Sequence, residues 1–328
     1  MTSRTGAALL GLCVAASLCG ASLSGASSAR AEDVIRLGLP AADNAFYALF
    51  GAAEQLGYYK DANLKVEITV YRGGAAAQEA MNAGAADVIG YFGAGAALAI
   101  SIGAKSAMVA ALSERPTGWY ILADGKSGIT SMKDLDGKKV GISSKGGVTD
   151  MFALWAADRA GVSITTVPIG SGALVPATKA GQVAAIPCFP SLSLRLIANG
   201  EMRPLVDLGK DMVPTYPDVV IASEAAMTTQ ATQLRAFLAA SFKALDRMQH
   251  DQTFGLSYLK TYTSETNDKI NQEVYEQIIR TQPANGEIKP EGIQNSVRIA
   301  GKAWGMDDLP KIDPMTVYTT KFLPGSKS

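Results

Sequence analysis

Beyond residue 33 the chain alternates short apolar runs with longer stretches whose apolar residues recur at helical spacing. That alternation is the signature of a parallel α/β architecture: a strand covered on both faces reads as a continuous apolar run, and its crossover helix reads as an amphipathic period. Residues 34–39 are the first predicted strand, stopped at Pro40. A helix follows over 46–57, with Phe46, Leu49, Phe50, Ala53 and Leu56 on one face and Gly57 at its end. Further strands are read at 65–70, 86–90, 108–112 and 119–123, and a turn at Gly73 and Gly74 opens a helix that runs through Ala83. A second series opens at Leu135-Asp136-Gly137-Lys138-Lys139, with strands at 140–142, 164–167, 183–186 and 204–208 and a helix over 149–160 closed by Gly161. After Pro214-Thr215-Tyr216-Pro217 a strand at 219–222 is followed only by helices, including 231–249 and 269–280. The C-terminal third is therefore expected to pack back onto the first series.

One internal echo relates the two series. Ala83-Gly84-Ala85-Ala86-Asp87-Val88-Ile89 and Ala180-Gly181-Gln182-Val183-Ala184-Ala185-Ile186 each end a helix at glycine and start a strand. Each also places an aromatic, Phe92 or Phe189, three residues past the last isoleucine. Both rings then fall just beyond the C-terminal end of a parallel strand, the edge where open α/β sheets bind ligands.

Residues 1–31 break the alternation. Arg4 precedes an unbroken run of apolar and small residues from 6 to 23, and Ala29-Arg30-Ala31 stands before Glu32 and Asp33. Charged start, apolar middle and small-residue site form the pattern of a secretory signal, here cleaved after Ala31. Cys13 and Cys19 each follow a leucine, unlike a typical lipid-modified cysteine. Removing the signal leaves Cys188 alone, so an exported chain without internal disulfides must rely on its core. It also removes Arg4 and Arg30, leaving 28 basic against 30 acidic residues, a net charge of −2. There is no basic stripe, which makes nucleic acid and anionic membrane surfaces poor candidates as partners. After Ala31 no apolar run reaches the length of a membrane span. A free, monomeric periplasmic protein is expected.

Several segments give the chain a family resemblance. Glu54-Gln55-Leu56-Gly57-Tyr58-Tyr59-Lys60 through Leu64-Lys65-Val66 is similar to the "helix, G-Y-F, then G-L-x-V" run of the substrate-binding proteins of nitrate/sulfonate/taurine-class ABC importers. Leu135-Asp136-Gly137-Lys138-Lys139-Val140-Gly141, Ala180-Gly181-Gln182-Val183 and Tyr216-Pro217-Asp218-Val219-Val220-Ile221-Ala222-Ser223 extend the likeness over nearly the whole mature chain. The resemblance implies a type II periplasmic binding fold: two α/β lobes, each a doubly wound, mostly parallel sheet, joined by two crossover segments. It puts lobe 1 at 32–122 and 219–328, lobe 2 at 123–218, and the crossovers near 122–125 and 214–219. The chain departs from the family where an acidic residue usually follows Gly-Gln-Val; Ala184 and Ala185 stand there instead. The implied partners are a small-molecule ligand and the permease of an ABC transporter.

If the lobes close on a ligand, contacts come from loops at strand C-termini. In lobe 1 these offer Asn44, which can donate and accept, Phe46 for stacking, Arg72 beside a helix start, and Phe92. Asn44 is equally well placed to cap the helix after it. Arg115 and Trp119 bracket the approach to the first crossover. In lobe 2, Ser144, Gly147 and Thr149 open a helix whose free N–H groups suit an anion, although Asp150 can occupy that positive end itself. Ser171 lies in a second such turn, and Phe189 is placed opposite Phe92. These groups point to a small organic anion, a sulfonate or an aromatic carboxylate, with Arg72 as clamp. The alternatives are a neutral or cationic heteroaromatic such as a pyrimidine, with Asp43 and Glu114 pairing to ring nitrogens, or an exported ligand-sensor subunit. Enzymatic chemistry finds little support. The sole histidine, His250, lies late in a long helix, and the mature chain has no C-x-x-C, H-E-x-x-H, P-loop or G-x-S-x-G. No metal or other cofactor is expected.

Overall fold

A computed structural model describes residues 33–326. The predicted signal, its cleavage site, Cys13 and Cys19 lie outside the described residues. Ten strands appear, and the ten apolar runs named above each contribute one. They are β1 (Asp33–Leu39), β2 (Leu64–Val70), β3 (Val88–Tyr91), β4 (Ser106–Ala111), β5 (Tyr120–Asp124), β6 (Lys139–Ile142), β7 (Thr165–Pro168), β8 (Ala185–Cys188), β9 (Met202–Asp207) and β10 (Val219–Ser223).

The strands form two five-stranded sheets, ordered β2-β1-β3-β10-β4 and β7-β6-β8-β5-β9. In each, one antiparallel strand is inserted among four parallel ones: β10 runs against β3 and β4, and β5 runs against β8 and β9. Both inserted strands come directly after the chain has passed from one sheet to the other. The sheets therefore share one topology, with β3 equivalent to β8. This is the internal echo in three dimensions. Gly84 and Gly181 both end a helix in the left-handed region, at φ 72° and 69°, before those equivalent strands.

One boundary moves. The expected first crossover at 122–125, and with it the end of the lobe 1 segment at 122, does not match the pairing, because β5 already belongs to the second sheet. The chain crosses within 112–119. The apolar run at 119–123 reads alike in either sheet, so hydropathy could not assign it. The return crossing lies between Asp207 and Val219.

The C-terminal helices cover the first sheet as expected. The helix Ala231–His250 buries Leu234, Phe237, Leu238, Phe242 and Leu245 against the helix Ala48–Gln55. The helix Pro290–Trp304 packs on Gly93–Ser101 of lobe 1 and also on Val148–Ala160 of lobe 2, where Lys302 pairs with Asp158 at 2.6 Å. Its Ser296 clasps the return crossing: the hydroxyl lies 2.6 Å from Thr215 Oγ1 and accepts the Tyr216 N–H at 3.0 Å. Among the described residues no helix is long and apolar enough to cross a membrane.

Candidate ligand-binding cleft

Between the sheets lies a narrow pocket lined by both lobes. The C-terminal ends of β1, β3, β6 and β8 all open toward it, as parallel strands of equivalent topology require. Its walls are mostly apolar or aromatic: Pro40, Ala41, Tyr47, Tyr91, Phe92, Trp119, Val148, Leu174 and Phe189. Phe92 stands edge-on to Trp304 at 6.2 Å, and Phe189 edge-on to Trp119 at 6.4 Å. Phe92 is thereby backed by Trp304, while Trp119 lines the pocket beside Phe189.

The polar floor is built around Asp218, which is 1 % exposed. Asn44 Nδ2 donates to Asp218 Oδ1 at 2.9 Å, Trp119 Nε1 reaches Oδ2 at 3.4 Å, and the Tyr47 hydroxyl also bonds the carboxylate. The Asp218 backbone is tied as well: its N–H donates to Ser113 Oγ, and its carbonyl accepts from Leu112 and Ser113. The two crossings are thus fastened to each other beneath the pocket. Burial pushes the Asp218 carboxyl up to about 7, against the opposing pull of its three donors. A carboxylate has about four lone-pair positions, and three donors leave one uncommitted. Tyr47 can lie over β3 only because position 90 is glycine, since a Cβ there would stand 2.6 Å from the Tyr47 ring.

Three helices begin at the pocket: Gly74–Asn82, Gly93–Ser101 and Val148–Ala160. Their N-terminal partial charges counterbalance the buried carboxylate. At the last of these, Asp150 turns back to accept from the Gly146 N–H at 2.9 Å, and Thr149 Oγ1 accepts from the Ser143 N–H at 3.0 Å.

Of the residues singled out from sequence, the pocket brings together Asn44, Phe92, Trp119, Thr149, Ser171 and Phe189. Asn44 fills the capping role, its Oδ1 accepting the Phe46 N–H, while its Nδ2 faces Asp218. The others lie elsewhere. Phe46 is 1 % exposed and belongs to the lobe 1 core, because the helical turn after Asn44 rotates it inward. Arg72 sits on the lip with its guanidinium over Gly170. Arg115 is spent on the carbonyls of Met212 at 3.0 Å and Gly209 at 3.5 Å. Gly147 is the cap of its helix, and the buried Ser144 hydroxyl lies under the lobe contact without a partner. Asp43 lies outside the pocket, in an outer groove, and Glu114 pairs with Lys289 at 2.8 Å. The carboxylate that does line the pocket is Asp218. Sequence reasoning passed over Asp218 and Tyr47. The available signal was a lone carboxylate directly before the fully apolar strand Val219-Val220-Ile221-Ala222.

The model of the family described as "NMT1/THI5 like" matches residues 44–253, well over half the chain. No curated protein sequence matches. Among solved structures, the alkanesulfonate-binding protein SsuA from Xanthomonas axonopodis pv. citri, bound to MOPS, superposes with a TM-score of 0.70 at 18% identity, covering 88% of this chain and 97% of that one. The periplasmic aliphatic sulphonate binding protein SsuA from Escherichia coli gives 0.62 at 18% identity, over 88% and 98%. The desulfurization enzyme DSZB gives 0.57 at 13% identity, over 88% and 97%. The shared architecture is that of the periplasmic binding proteins, and by its sequence the chain belongs to the NMT1/THI5-like family.

Proposed function

We propose that this protein is a periplasmic solute-binding component of an ABC importer, and that its cleft takes a neutral or cationic nitrogen heteroaromatic, such as an aminopyrimidine. The observation that carries the ligand class is the Asp218 carboxyl on the pocket floor, with one acceptor position uncommitted and no lysine or arginine among the lining residues. An amino N–H or a protonated ring nitrogen satisfies that position, and a group held near 7 can share a proton with such a nitrogen. The Phe92 and Phe189 walls supply flat apolar surface for the ring. Ligand contact with both lobes favours the closed state that is presented to the permease. Neither Cys188 nor His250 lines the pocket. Cys188 is buried with its thiol pushed up by burial, and His250 is exposed beside Asp246.

A second reading, an organic anion such as a sulfonate or aromatic carboxylate, is favoured by the three helix N-termini at the pocket. It requires Asp218 to be neutral. Thermal-shift titration separates the two. A binder at a hundredfold excess over Kd adds about 2.7 kcal/mol, so 4-aminopyrimidine is expected to raise the melting temperature and benzenesulfonate to leave it unchanged. The opposite pattern overturns the heteroaromatic reading.

A further inference from the structure

The segment after β8 contains the one strained non-glycine backbone at the cleft. Ser191 has φ 69° and ψ −59°, outside the regions open to an L-residue without cost. It is 5 % exposed. Its hydroxyl donates across the seam to the carbonyl of Asp43 in lobe 1 at 2.6 Å and also contacts the Pro190 carbonyl. Two residues on, Ser193 Oγ donates to the carbonyl of Gly118, in the first crossing, at 2.5 Å. Pro190 packs so closely on Gly118, itself at φ 75°, that a Cβ there would stand 2.9 Å from the proline ring. One short turn thus touches the hinge at Gly118, presents Phe189 to the pocket, and bonds the opposite lip at Asp43. Outside that lip is an open groove that shares Ala41, Ser171 and Phe189 with the inner pocket.

We infer that Ser191 is a positioning residue for ligand retention. Its strained backbone holds Phe189 against the ligand and aims its hydroxyl at Asp43, so that the bond forms only when the lobes are together and bars the exit into the groove. The strain is sustained because the hinge packing at Gly118 and the cross-lobe bond over-determine the turn. The inference rests on the cleft being the ligand site, not on the ligand's class.

The test uses the mature chain carrying Thr69→Cys and Lys133→Cys, both exposed, labelled to report the distance between lobes. The probe is 4-aminopyrimidine or benzenesulfonate, whichever closes the parent. That choice bears on the ligand class; the comparison among Ser191 variants bears on the latch. Ser191→Ala and Ser191→Gly are each expected to raise the dissociation rate about fivefold, the loss of one buried hydrogen bond, with the association rate unchanged. Ser191→Gly, which relieves the strain, is expected to melt no lower than the parent without ligand. Should neither probe act, the closed population of the ligand-free protein decides, and it falls in both variants. Unchanged dissociation and unchanged closed population in Ser191→Ala overturn the inference. So does a Ser191→Gly variant whose ligand-free melting drops along with its retention, since that marks a purely structural role.

Discussion

Asp218 carries a conflict between burial and charge that its neighbours only partly resolve. Its carboxyl is raised to about 7 by burial, while an unfolded aspartate titrates near ~3.9. Between these values the folded chain holds a proton that the unfolded chain has released. The stability from this group is therefore complete below about pH 4 and is lost as the pH rises from about 4 to 7. Urea unfolding at pH 5 and pH 7.5 should show a larger fall for the parent than for Asp218→Asn; equal falls contradict the assignment. Gly90→Ala is expected to cost about 1–3 kcal/mol, because its Cβ must displace the Tyr47 ring, and denaturant midpoints measure it. Phe92 and Phe189 were legible in the sequence because they follow strand ends, where topology alone sends them to the cleft, and Trp119 because it brackets the first crossover. Tyr47 was not, since it sits on a helical face among Phe46, Leu49 and Phe50 and reads as core. Arg72 and Arg115 misled for a related reason. Sequence shows that a guanidinium exists near a site but not which carbonyls consume it, as Met212 and Gly209 consume Arg115.

The elements hold the site through the crossings. Asp218 fastens one crossing to the other, and Ser296 of the helix Pro290–Trp304 fastens the return crossing to lobe 1. Ser296→Ala leaves the Tyr216 N–H and the Thr215 hydroxyl without this partner at a buried site, at an expected cost of about 1–3 kcal/mol. A urea midpoint indistinguishable from the parent argues against the clasp. Part of the lip depends on the absence of a side chain. Gly73, at φ 139°, lets the start of the helix Gly74–Asn82 meet Ser143 and Ser144, each 3.3 Å from where a Cβ would be. Gly73→Ala is expected to prop the lobes apart and weaken ligand binding at least tenfold; unaltered affinity contradicts that role. All ten strands could be read from the sequence: central ones such as β3 and β8 are buried throughout and leave an unbroken apolar signal, whereas β2 and β7, largely exposed, were read from interrupted apolar runs. The first crossover could not. β5 is as apolar as its neighbours, and only hydrogen-bond pairing tells which sheet it joins.

At the scale of the whole molecule, two sheets of identical order meet over one pocket, and their lips touch at Ser171 with Pro40, at Ser171 with Arg72, and at Ser191 with Asp43. The two-lobed plan was legible from the internal echo and the family resemblance. The charge of the ligand was not, because three helix starts and one buried carboxyl pull in opposite directions, and their balance depends on distances. Calorimetric titration of 4-aminopyrimidine and benzenesulfonate into the parent protein and Asp218→Asn at neutral pH tests that balance most directly. The account predicts that aminopyrimidine binds the parent and loses roughly ten- to a hundredfold in affinity on removal of the carboxylate, the scale of a lost hydrogen bond to a charged group. Benzenesulfonate should bind the parent poorly and gain from the substitution. Tight benzenesulfonate binding to the parent, with aminopyrimidine silent, would contradict it.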